Sequence, residues 1–275
     1  MNELEILRAS TMWAVFFLLL ALEHFDGIRS ARPERWKRRR DNILLLLVAT
    51  LLLRSLVPVT MVGAAYWAQN NLFGIFHWTE VRLIYTFPLT IIFLDLVLFL
   101  QHRAFHWFPT LWRVHRVHHS DRDLDASSGL RFHPLEFLFS LVVKIIAVVA
   151  IGAPPIAVVF FEILLNLFSM ATHANINLGL RIEKWLQFMV ITPRVHWVHH
   201  QEEVHSSQRN FGFCLSVWDK LFSTYKLPPI RGEDYGDLGV EGLRQKRENL
   251  LDLLLQPFVR NAESEKYARG FSSDV

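Results

Sequence analysis

Apolar residues are bunched into long runs over the first two thirds of the chain, and these runs predict membrane-crossing helices. The runs cover residues 11–26, 43–68, 82–101 and 135–172. The last run is interrupted by Gly152-Ala153-Pro154-Pro155. Because paired prolines break a helix, it predicts two antiparallel helices, 135–151 and 155–173, joined as a hairpin. We therefore predict an all-α integral membrane bundle of about four to five transmembrane helices.

The first apolar run predicts a retained helix rather than a signal peptide. Residues 11–26 have no basic stretch before them and no small-residue cleavage site after them. We expect residues 1–10 to be a short tail on the far side of the membrane.

The basic residues predict the orientation of the bundle. Residues 29–40, RSARPERWKRRR, carry seven lysines and arginines, and the positive-inside rule puts this segment in the cytoplasm. Crossing at 43–68 and returning at 82–101 brings His102 to the cytoplasmic face, and the hairpin leaves and re-enters that face. The absence of an endoplasmic-reticulum retention sequence favours a bacterial inner membrane.

Composition narrows the possible chemistry. The 275 residues are 52% hydrophobic and 20% charged, with a net charge of +3. The positive charge lies beside the apolar runs, so membrane topology explains it and no nucleic-acid partner is expected. A single cysteine, Cys214, excludes an intrachain disulfide and an all-cysteine metal site within one chain. Any metal must therefore bind mainly to histidine, carboxylate or water.

The histidines are grouped along the sequence in a way that suggests metal binding. Ten of the thirteen histidines fall into five short groups between residues 102 and 200. The groups are His102-x3-His106, His115-x2-His118-His119, Arg131-Phe132-His133-Pro134, His173-x-Asn175 and His196-x2-His199-His200. Residues at i and i+4 share a helix face, and ten imidazoles exceed what one tetrahedral ion uses. The pattern predicts a site for two metal ions in a histidine-rich helical cap on the cytoplasmic side.

Some histidines are weaker candidates than others. His133 and His173 each stand alone, and either could instead bond to the backbone. His24, His77 and His205 match no ligand spacing. We expect His77 to lie on the opposite side of the membrane, in solvent.

Two charged residues lie inside the predicted hairpin. Lys144 and Glu162 are each nine residues from Ala153, so the two side chains lie at similar depth. An unpaired charge inside a bilayer costs roughly 3 kcal/mol or more. We predict that they approach each other or share polar partners; the alternative is that either one lines a cavity or reaches to the interface.

These residues resemble the fatty acid hydroxylase and sterol desaturase superfamily of integral-membrane non-haem di-iron enzymes. The resemblance covers roughly residues 90–226 and includes QHRAFH, LWRVHRVHHS, RFHPLEF, THANINL, PRVHWVHHQ, RNFG and VWDKLFSTY. It implies the metal ligands His102, His106, His115, His118, His119, His173, His196, His199 and His200, with His133 as a tenth. It also implies that Asp95, Asn175, Asn210 and Asp219 orient the ligand rings. The chain departs from the family at Phe99, where tyrosine is frequent, and at Phe222-Ser223-Thr224-Tyr225, where the family often has F-G-T-Y.

The resemblance implies an O2-dependent oxidoreductase with two iron ions as cofactors. The expected reaction is hydroxylation of a C–H bond in a lipid that enters from the bilayer, and the nearest alternative is desaturation at the same site. The sequence has no flavin, nicotinamide, haem-attachment or iron–sulfur motif, so a ferredoxin, a b-type cytochrome or a reductase is the implied electron donor. A metal transporter or sensor and an inactive scaffold are the alternatives from other classes.

The chain divides into a membrane-embedded domain, residues 1–228, with its histidine core at 95–226, and a cytoplasmic tail, residues 229–275. The pattern at 241–258 predicts an amphipathic helix that lies on the membrane or packs against the cap. We expect residues 262–275 to be disordered.

Overall fold

The structure, a computed structural model, describes residues 3–25, 27–30, 35–230, 235–243 and 249–268. The fold is all-α, as predicted, and among these residues the extended pairing amounts to two isolated antiparallel bridges. The helices are α1 (Glu3–Leu22), α2 (Arg35–Leu56), α3 (Met61–Asn70), α4 (Ile75–Trp78), α5 (Leu83–Trp107), α6 (Pro109–His119), α7 (Pro134–Ile151), α8 (Pro155–His173), α9 (Leu180–Leu186), α10 (Pro193–His199), α11 (Val204–Ser207), α12 (Val217–Leu221), α13 (Leu250–Leu255) and α14 (Ala262–Glu265). Short 3₁₀ turns occupy Ser128–Leu130, Gln256–Phe258 and Lys266–Ala268.

Four segments of the described chain are long and apolar enough to cross a membrane. They are Arg35–Trp78, Leu83–Trp107, Pro134–Ile151 and Pro155–His173. The chain is therefore a multi-pass membrane protein. The shorter α1 packs along α8 and begins at Glu3, so residues 3–10 are helical and the expectation of a tail over residues 1–10 is wrong for them; residues 1–2 lie outside the described residues.

The predicted continuous span 43–68 is interrupted. Helix α2 ends at Leu56 and α3 begins at Met61, because Pro58 lacks a backbone N–H and disfavours helical geometry in the residue before it. Thr60 then caps α3, its hydroxyl accepting from the backbone N–H of Gly63 at 3.0 Å. The two pieces together make one passage across the bundle.

The predicted hairpin is confirmed at α7 and α8. Helix α7 ends at Gly152, whose φ of 67° lies in the left-handed region that favours glycine. Pro155 opens α8 at its first position, where the missing N–H of proline has no cost. The core between α3, α5, α7 and α8 contains small and branched side chains, among them Ala65, Leu94 and Val158. These contacts hold both arms of the hairpin against α5.

The opposite end of the bundle from this turn carries the cap. Arg38 and Arg39 belong to the basic segment 29–40, and they pair with Asp121 (2.7 Å) and Asp125 (2.8 Å) in the loop after α6. Residues 31–34 of that segment lie outside the described residues. The basic segment and the loops that follow the histidine helices therefore lie at the same end, as the count of crossings predicts.

The two charged residues of the hairpin, predicted to approach each other or share polar partners, interact electrostatically but form no direct ion pair among the described residues. The Glu162 carboxylate accepts from Arg8 of α1 at 2.6 Å, and among the described residues no ion pair joins it to Lys144. The reason is that α1 packs along α8 and brings a guanidinium to the depth of Glu162. Lys144 instead lines a cavity, which is the alternative that the sequence left open.

The predicted helix at 241–258 is much shorter than expected. Residues 241–243 form a turn, residues 244–248 lie outside the described residues, and α13 begins only at Leu250, where Asn249 makes a capping box with Asp252. Leu253 is fully buried against Leu45 and Val117. Of the two alternatives, this face of the helix packs against the rest of the protein.

The segment 262–268 is ordered, contrary to the expectation of disorder over 262–275. Tyr267 is fully buried and stacks on Trp112 of α6, with ring centroids 5.4 Å apart. The indole N–H of Trp112 donates to the carbonyl of Ser264 at 2.6 Å. These contacts come from a distant part of the chain, so a polar local sequence did not indicate them. Residues 269–275 lie outside the described residues.

Gly129 lies so close to the backbone of α8 that a larger residue does not fit there. A Cβ at Gly129 would lie 2.1 Å from the carbonyl oxygen of Ser169 and 2.8 Å from the Cα of Met170. Both are backbone atoms of α8 just before His173. We expect Gly129→Ala to destabilise the protein by about 1–3 kcal/mol through overpacking and to displace His173. The melting temperature in detergent measures the first effect, and bound metal per chain the second.

The matched control is Gly63→Ala in α3. The added Cβ there meets only the hydroxyl of Thr60, at 3.3 Å, and alanine favours the helix. Gly63→Ala is expected to keep the melting temperature within a few degrees of the parent. Equal melting temperatures for the two variants would contradict the steric argument.

Candidate metal centre

Four helices bring nine of the ten predicted ligands together at one end of the bundle. Helix α5 contributes His102 and His106, α6 contributes His115, His118 and His119, α8 ends at His173, and α10 with the residue after it contributes His196, His199 and His200. Each is buried, with at most 9% of its surface exposed. Helix α5 runs six residues beyond the predicted end of its span, so His102 and His106 lie on the same helix that crosses the membrane.

The nine rings form two groups. The first group is His102, His106, His115, His119 and His199, and the second is His118, His173, His196 and His200. Within each group one ring nitrogen of every residue lies within 4.8 Å of the others. The groups adjoin, because the rings of His119 and His200 stack with centroids 4.3 Å apart.

The geometry of the second group fits a metal ion. The Nε2 atom of His173 lies 3.0 Å from that of His118, 3.1 Å from that of His200 and 3.0 Å from that of His196. A neutral imidazole has one N–H, so four mutually close nitrogens cannot satisfy one another. Nitrogens bound at about 2.1 Å to one ion and at right angles to each other would be about 3.0 Å apart. In the first group, the Nε2 atoms of His102 and His199 lie 2.9 Å apart, and those of His106 and His119 lie 3.1 Å apart.

Burial keeps the imidazoles in the form that binds metal. Desolvation, reinforced by the neighbouring imidazoles, holds the pKa values of four cap histidines well below the usual value; they are His118, His119, His196 and His200. Burial likewise lowers the pKa of His199 to about 3. These rings are therefore neutral at neutral pH, and the neutral imidazole is a good ligand for iron, zinc, copper and nickel.

The other ring nitrogen of several candidate ligands is fixed by a hydrogen bond. The Nδ1 atom of His102 lies 2.9 Å from the carbonyl of Phe211, that of His199 2.8 Å from the carbonyl of Arg209, and that of His173 2.6 Å from the carbonyl of Ser169. A carbonyl accepts only, so each Nδ1 carries the proton. This leaves Nε2 unprotonated and directed into its group.

Glu136 is a site residue that the sequence argument did not select. Its Oε1 atom lies 2.7 Å from Nδ1 of His115, and both side chains are buried. A carboxylate behind a ligating histidine fixes the tautomer and makes the ring a better donor to a metal. One sequence feature could have identified Glu136. It is an acidic residue three positions after His133, within RFHPLEF, at the start of an otherwise apolar run.

His133 lies outside both groups. It caps α7: Nδ1 accepts from the backbone N–H of Leu135 at 3.1 Å, and Nε2 lies 3.2 Å from the carbonyl of Leu254. Both nitrogens are therefore engaged with the backbone, which is the alternative that the sequence allowed. His77 lies at the opposite end of the bundle, beside Gly152, although it is partly buried there.

The residues predicted to orient ligand rings act on loops instead. Asp219 accepts from two backbone N–H groups at 211–212 (2.8 and 2.6 Å), and Asp95 accepts from two at 214–215 (3.0 and 3.1 Å). The two carboxylates thus shape the loop whose carbonyl contacts His102, and their effect on that ring is indirect.

The two asparagines also bond to backbone. The side chain of Asn175 donates to the carbonyl of Arg29 at 2.7 Å and accepts from its N–H at 3.1 Å. The side chain of Asn210 donates to the carbonyls of Val195 and Lys226, each at 2.9 Å. They join neighbouring loops to the ends of α8 and α10, and their side-chain hydrogen bonds to described residues go to backbone groups.

The departures from the family pattern have local explanations. Ser223 has a φ of 57°, in the left-handed region that favours glycine, so the frequent glycine at this position matches the backbone that the turn needs. Phe99 is fully buried and stacks on Phe222, with centroids 5.2 Å apart. Neither departure touches a candidate ligand.

A cavity leads from the histidines into the bundle. Its volume is about 150 Å³. His102, His115, His118, His173 and His196 line one end, and the walls continue along α7 and α8 as far as Lys144 and Leu165. Most of the cavity wall between the histidines and Lys144 is apolar, with Phe105, Leu130 and Phe137 among its residues. A wall of this kind favours an apolar group, and its histidine end places such a group beside the candidate ligands.

The fold and the site together define a multi-pass helical membrane protein with a buried centre of nine histidines in two adjoining groups. The sequence profile of the fatty acid hydroxylase family matches residues 87–224, half of the chain, and the protein belongs to this family.

Its relatives include lipid-modifying enzymes. The chain is 30% identical over 168 residues to the ornithine lipid hydroxylase of Rhizobium tropici, covering 61% of this chain and 49% of the relative. It is 27% identical over 155 residues to the alkylglycerol monooxygenase of Caenorhabditis elegans, covering 54% and 29%. It is 30% identical over 128 residues to the human alkylglycerol monooxygenase, covering 46% and 27%. The match thus spans half or less of the length of these relatives, and no solved structure matches the chain.

Removal of single histidines tests the ligand set. We expect His115→Ala and His173→Ala, one from each group, to lower the bound metal per chain, because each removes one candidate ligand nitrogen from its buried histidine group. His205→Ala is the matched control, since His205 is exposed, and His133→Ala should also keep its metal. Elemental analysis of protein from iron-supplied cells measures this. Full metal in His115→Ala and His173→Ala, with the fold intact by circular dichroism, would exclude these groups as the site.

Two substitutions of Glu136 distinguish the effect of its negative charge from the effect of its hydrogen bond to His115. Glu136→Ala removes the acceptor behind His115 and should weaken metal affinity about 10–100-fold. Glu136→Gln keeps an oxygen there without the charge, so an intermediate loss is expected. Competition with a graded series of chelators measures the affinity. If Glu136→Ala holds metal as tightly as the parent, the carboxylate does not orient the ring.

Proposed function

We propose that this protein is a membrane-bound, O2-dependent oxygenase that hydroxylates a C–H bond of a lipid. The observation that carries the proposal is the position of the nine buried histidines, in two metal-sized groups, at one end of a cavity between membrane-crossing helices. The names of the relatives, a lipid hydroxylase and monooxygenases, support it.

The proposed cofactors are two iron ions, one in each histidine group. Iron would supply the redox chemistry with O2 that cleavage of an unactivated C–H bond needs, which zinc does not have. The donor set is compatible with iron, because neutral imidazole binds it among other transition metals. Five residues in one group and four in the other exceed the needs of a single ion.

The proposed reaction balances only with an external reductant. One atom of O2 enters the C–H bond as a hydroxyl group, and the other leaves as water with two protons and two electrons. A ferredoxin, a b-type cytochrome or a reductase would supply the electrons to the cap.

The chain itself has three tasks in this reaction. The carbonyls behind His102, His173 and His199 and the Glu136 carboxylate hold the rings in place. The apolar wall of the cavity binds the lipid and orients it. The same wall excludes water from the reacting bond, so that the oxidation is directed at the lipid.

Two other functions give different expectations. A desaturase would use the same site and remove two hydrogens without adding oxygen, and the hydroxylase and monooxygenase names of the relatives favour hydroxylation. A transporter needs ligands along a path through the membrane, whereas both described histidine groups lie at one end of the bundle.

We further propose that the histidine cap faces the cytoplasm of a bacterium, at its inner membrane. The basic segment 29–40 lies at the cap end, which supports this orientation through the positive-inside rule. The bacterial origin of the Rhizobium tropici relative supports the choice of membrane. Within the chain, we propose residues 1–228 as the membrane-embedded domain and 229–275 as a tail that packs on it.

The experiment is isotope labelling of lipids in cells that express the protein. With ¹⁸O2 in the gas phase, the parent protein is expected to produce a lipid that gains one labelled oxygen, and His199→Ala should not. His205→Ala is the control that should retain activity. A lipid that loses two hydrogens without label would indicate desaturation, and the absence of any change with an iron-loaded protein and a working donor would reject both.

A further inference from the structure

Helix α7 carries a polar stripe that faces the cavity. Glu136, Ser140 and Lys144 follow one another at intervals of four residues, so they share one face of the helix. All three line the cavity. The rest of α7 is strongly apolar. Polar and charged side chains in a membrane-crossing helix are costly, and they therefore tend to mark a functional site.

The charge at the deep end of the stripe is only partly compensated, because the carboxylate of Glu162 that acts on Lys144 also serves Arg8. Glu162, the nearby acid on α8, is already paired with Arg8 at 2.6 Å. Among the described residues, Lys144 has neither an ion-pair nor a hydrogen-bond partner. One carboxylate thus faces two cations, which leaves one positive charge at the cavity wall. A positive charge in a place of low polarity attracts an anion strongly.

The middle of the cavity also offers unused polar atoms. The Gln101 amide donates to the hydroxyl of Ser140 at 3.1 Å, while its own oxygen, Oε1, is buried without a partner. Asn166 of α8 lines the cavity at this level. The stripe is therefore continued across to α5 and α8 by groups that can contact a polar part of a bound molecule.

We propose that Lys144 binds the acid group of the lipid substrate, a carboxylate or a phosphate. The inference rests on the proposed function and deepens it, because it assigns the substrate to the acidic lipids. Lys144 acts as a positioning residue: it holds one end of the substrate, and the rest of the molecule follows the apolar wall toward the histidines.

The position of Lys144 also sets which carbon reacts. Glu136 contacts His115 and thus marks the level of the metal groups. Lys144 is eight residues further along α7, so the two Cα atoms are about 12 Å apart along the axis. Even with its flexible four-carbon stem pointed toward the histidines, the ammonium group stays some distance from them. The hydroxyl group should therefore enter several bonds away from the acid group.

Binding without turnover tests the assignment. The probes are palmitic acid, its methyl ester and a single-chain palmitoyl glycerol phosphate, and the affinities are measured on metal-loaded protein in nanodiscs under argon. The parent is expected to bind at least one of the two acids about tenfold more tightly than the ester, as for a charge-assisted hydrogen bond. The acid that binds more tightly identifies the source of the anionic group.

Variants then connect this preference to Lys144. Lys144→Met should abolish it, and Lys144→Arg should retain much of it. Lys184→Met, which removes an exposed lysine outside the cavity, should leave it unchanged. Lys144→Gln is the second neutral variant in case methionine impairs folding.

Several results would overturn the inference. These are a parent that does not distinguish acid from ester, a neutral Lys144 variant that keeps the full preference, and a product hydroxylated next to the acid group. The proposed function fails separately, since acid binding that depends on Lys144, without any labelled oxygen in the lipid, would reject the oxygenase and retain the acid site.

Discussion

The structure depends on one constraint: nine imidazoles are removed from water with their nitrogen atoms directed at one another. Two neutral rings can form a hydrogen bond, but four or five converging nitrogens cannot all be satisfied in this way. A cation among the nitrogens, as proposed here, and acceptors behind the rings would satisfy them. The carbonyls of Phe211, Arg209 and Ser169 and the carboxylate of Glu136 provide such acceptors for four of the nine rings.

Much of this arrangement could be predicted because it follows from local helix geometry and from the number of membrane crossings. Histidines four residues apart share a helix face whatever surrounds them. Two prolines after Gly152 end one helix and begin the next. Since an even number of crossings separates the histidine groups, they must meet on one side. These arguments need no knowledge of which helix packs on which, and nine of the ten predicted ligands lie together as a result.

The remaining features depend on partners that are distant in sequence. His133 is a cap rather than a member of either group because its second nitrogen meets Leu254, over a hundred residues later. Glu162 pairs with Arg8 because α1 packs along α8, and hydropathy does not determine the order of helices in a bundle. Buried polar contacts of this kind are specific to one packing arrangement, so a pattern along the chain does not reveal them.

The contact between Trp112 and the segment 262–268 has a consequence for biosynthesis. Trp112 lies against the rings of His106 and His119, with centroids 4.9 and 5.3 Å away, and its outer face is covered by Tyr267. The ribosome completes the last histidine of the centre, His200, well before it reaches Tyr267. During translation there is thus an interval in which every histidine of the two groups exists while this side of α6 is still open. The order of synthesis therefore completes the two histidine groups first and covers Trp112 afterwards.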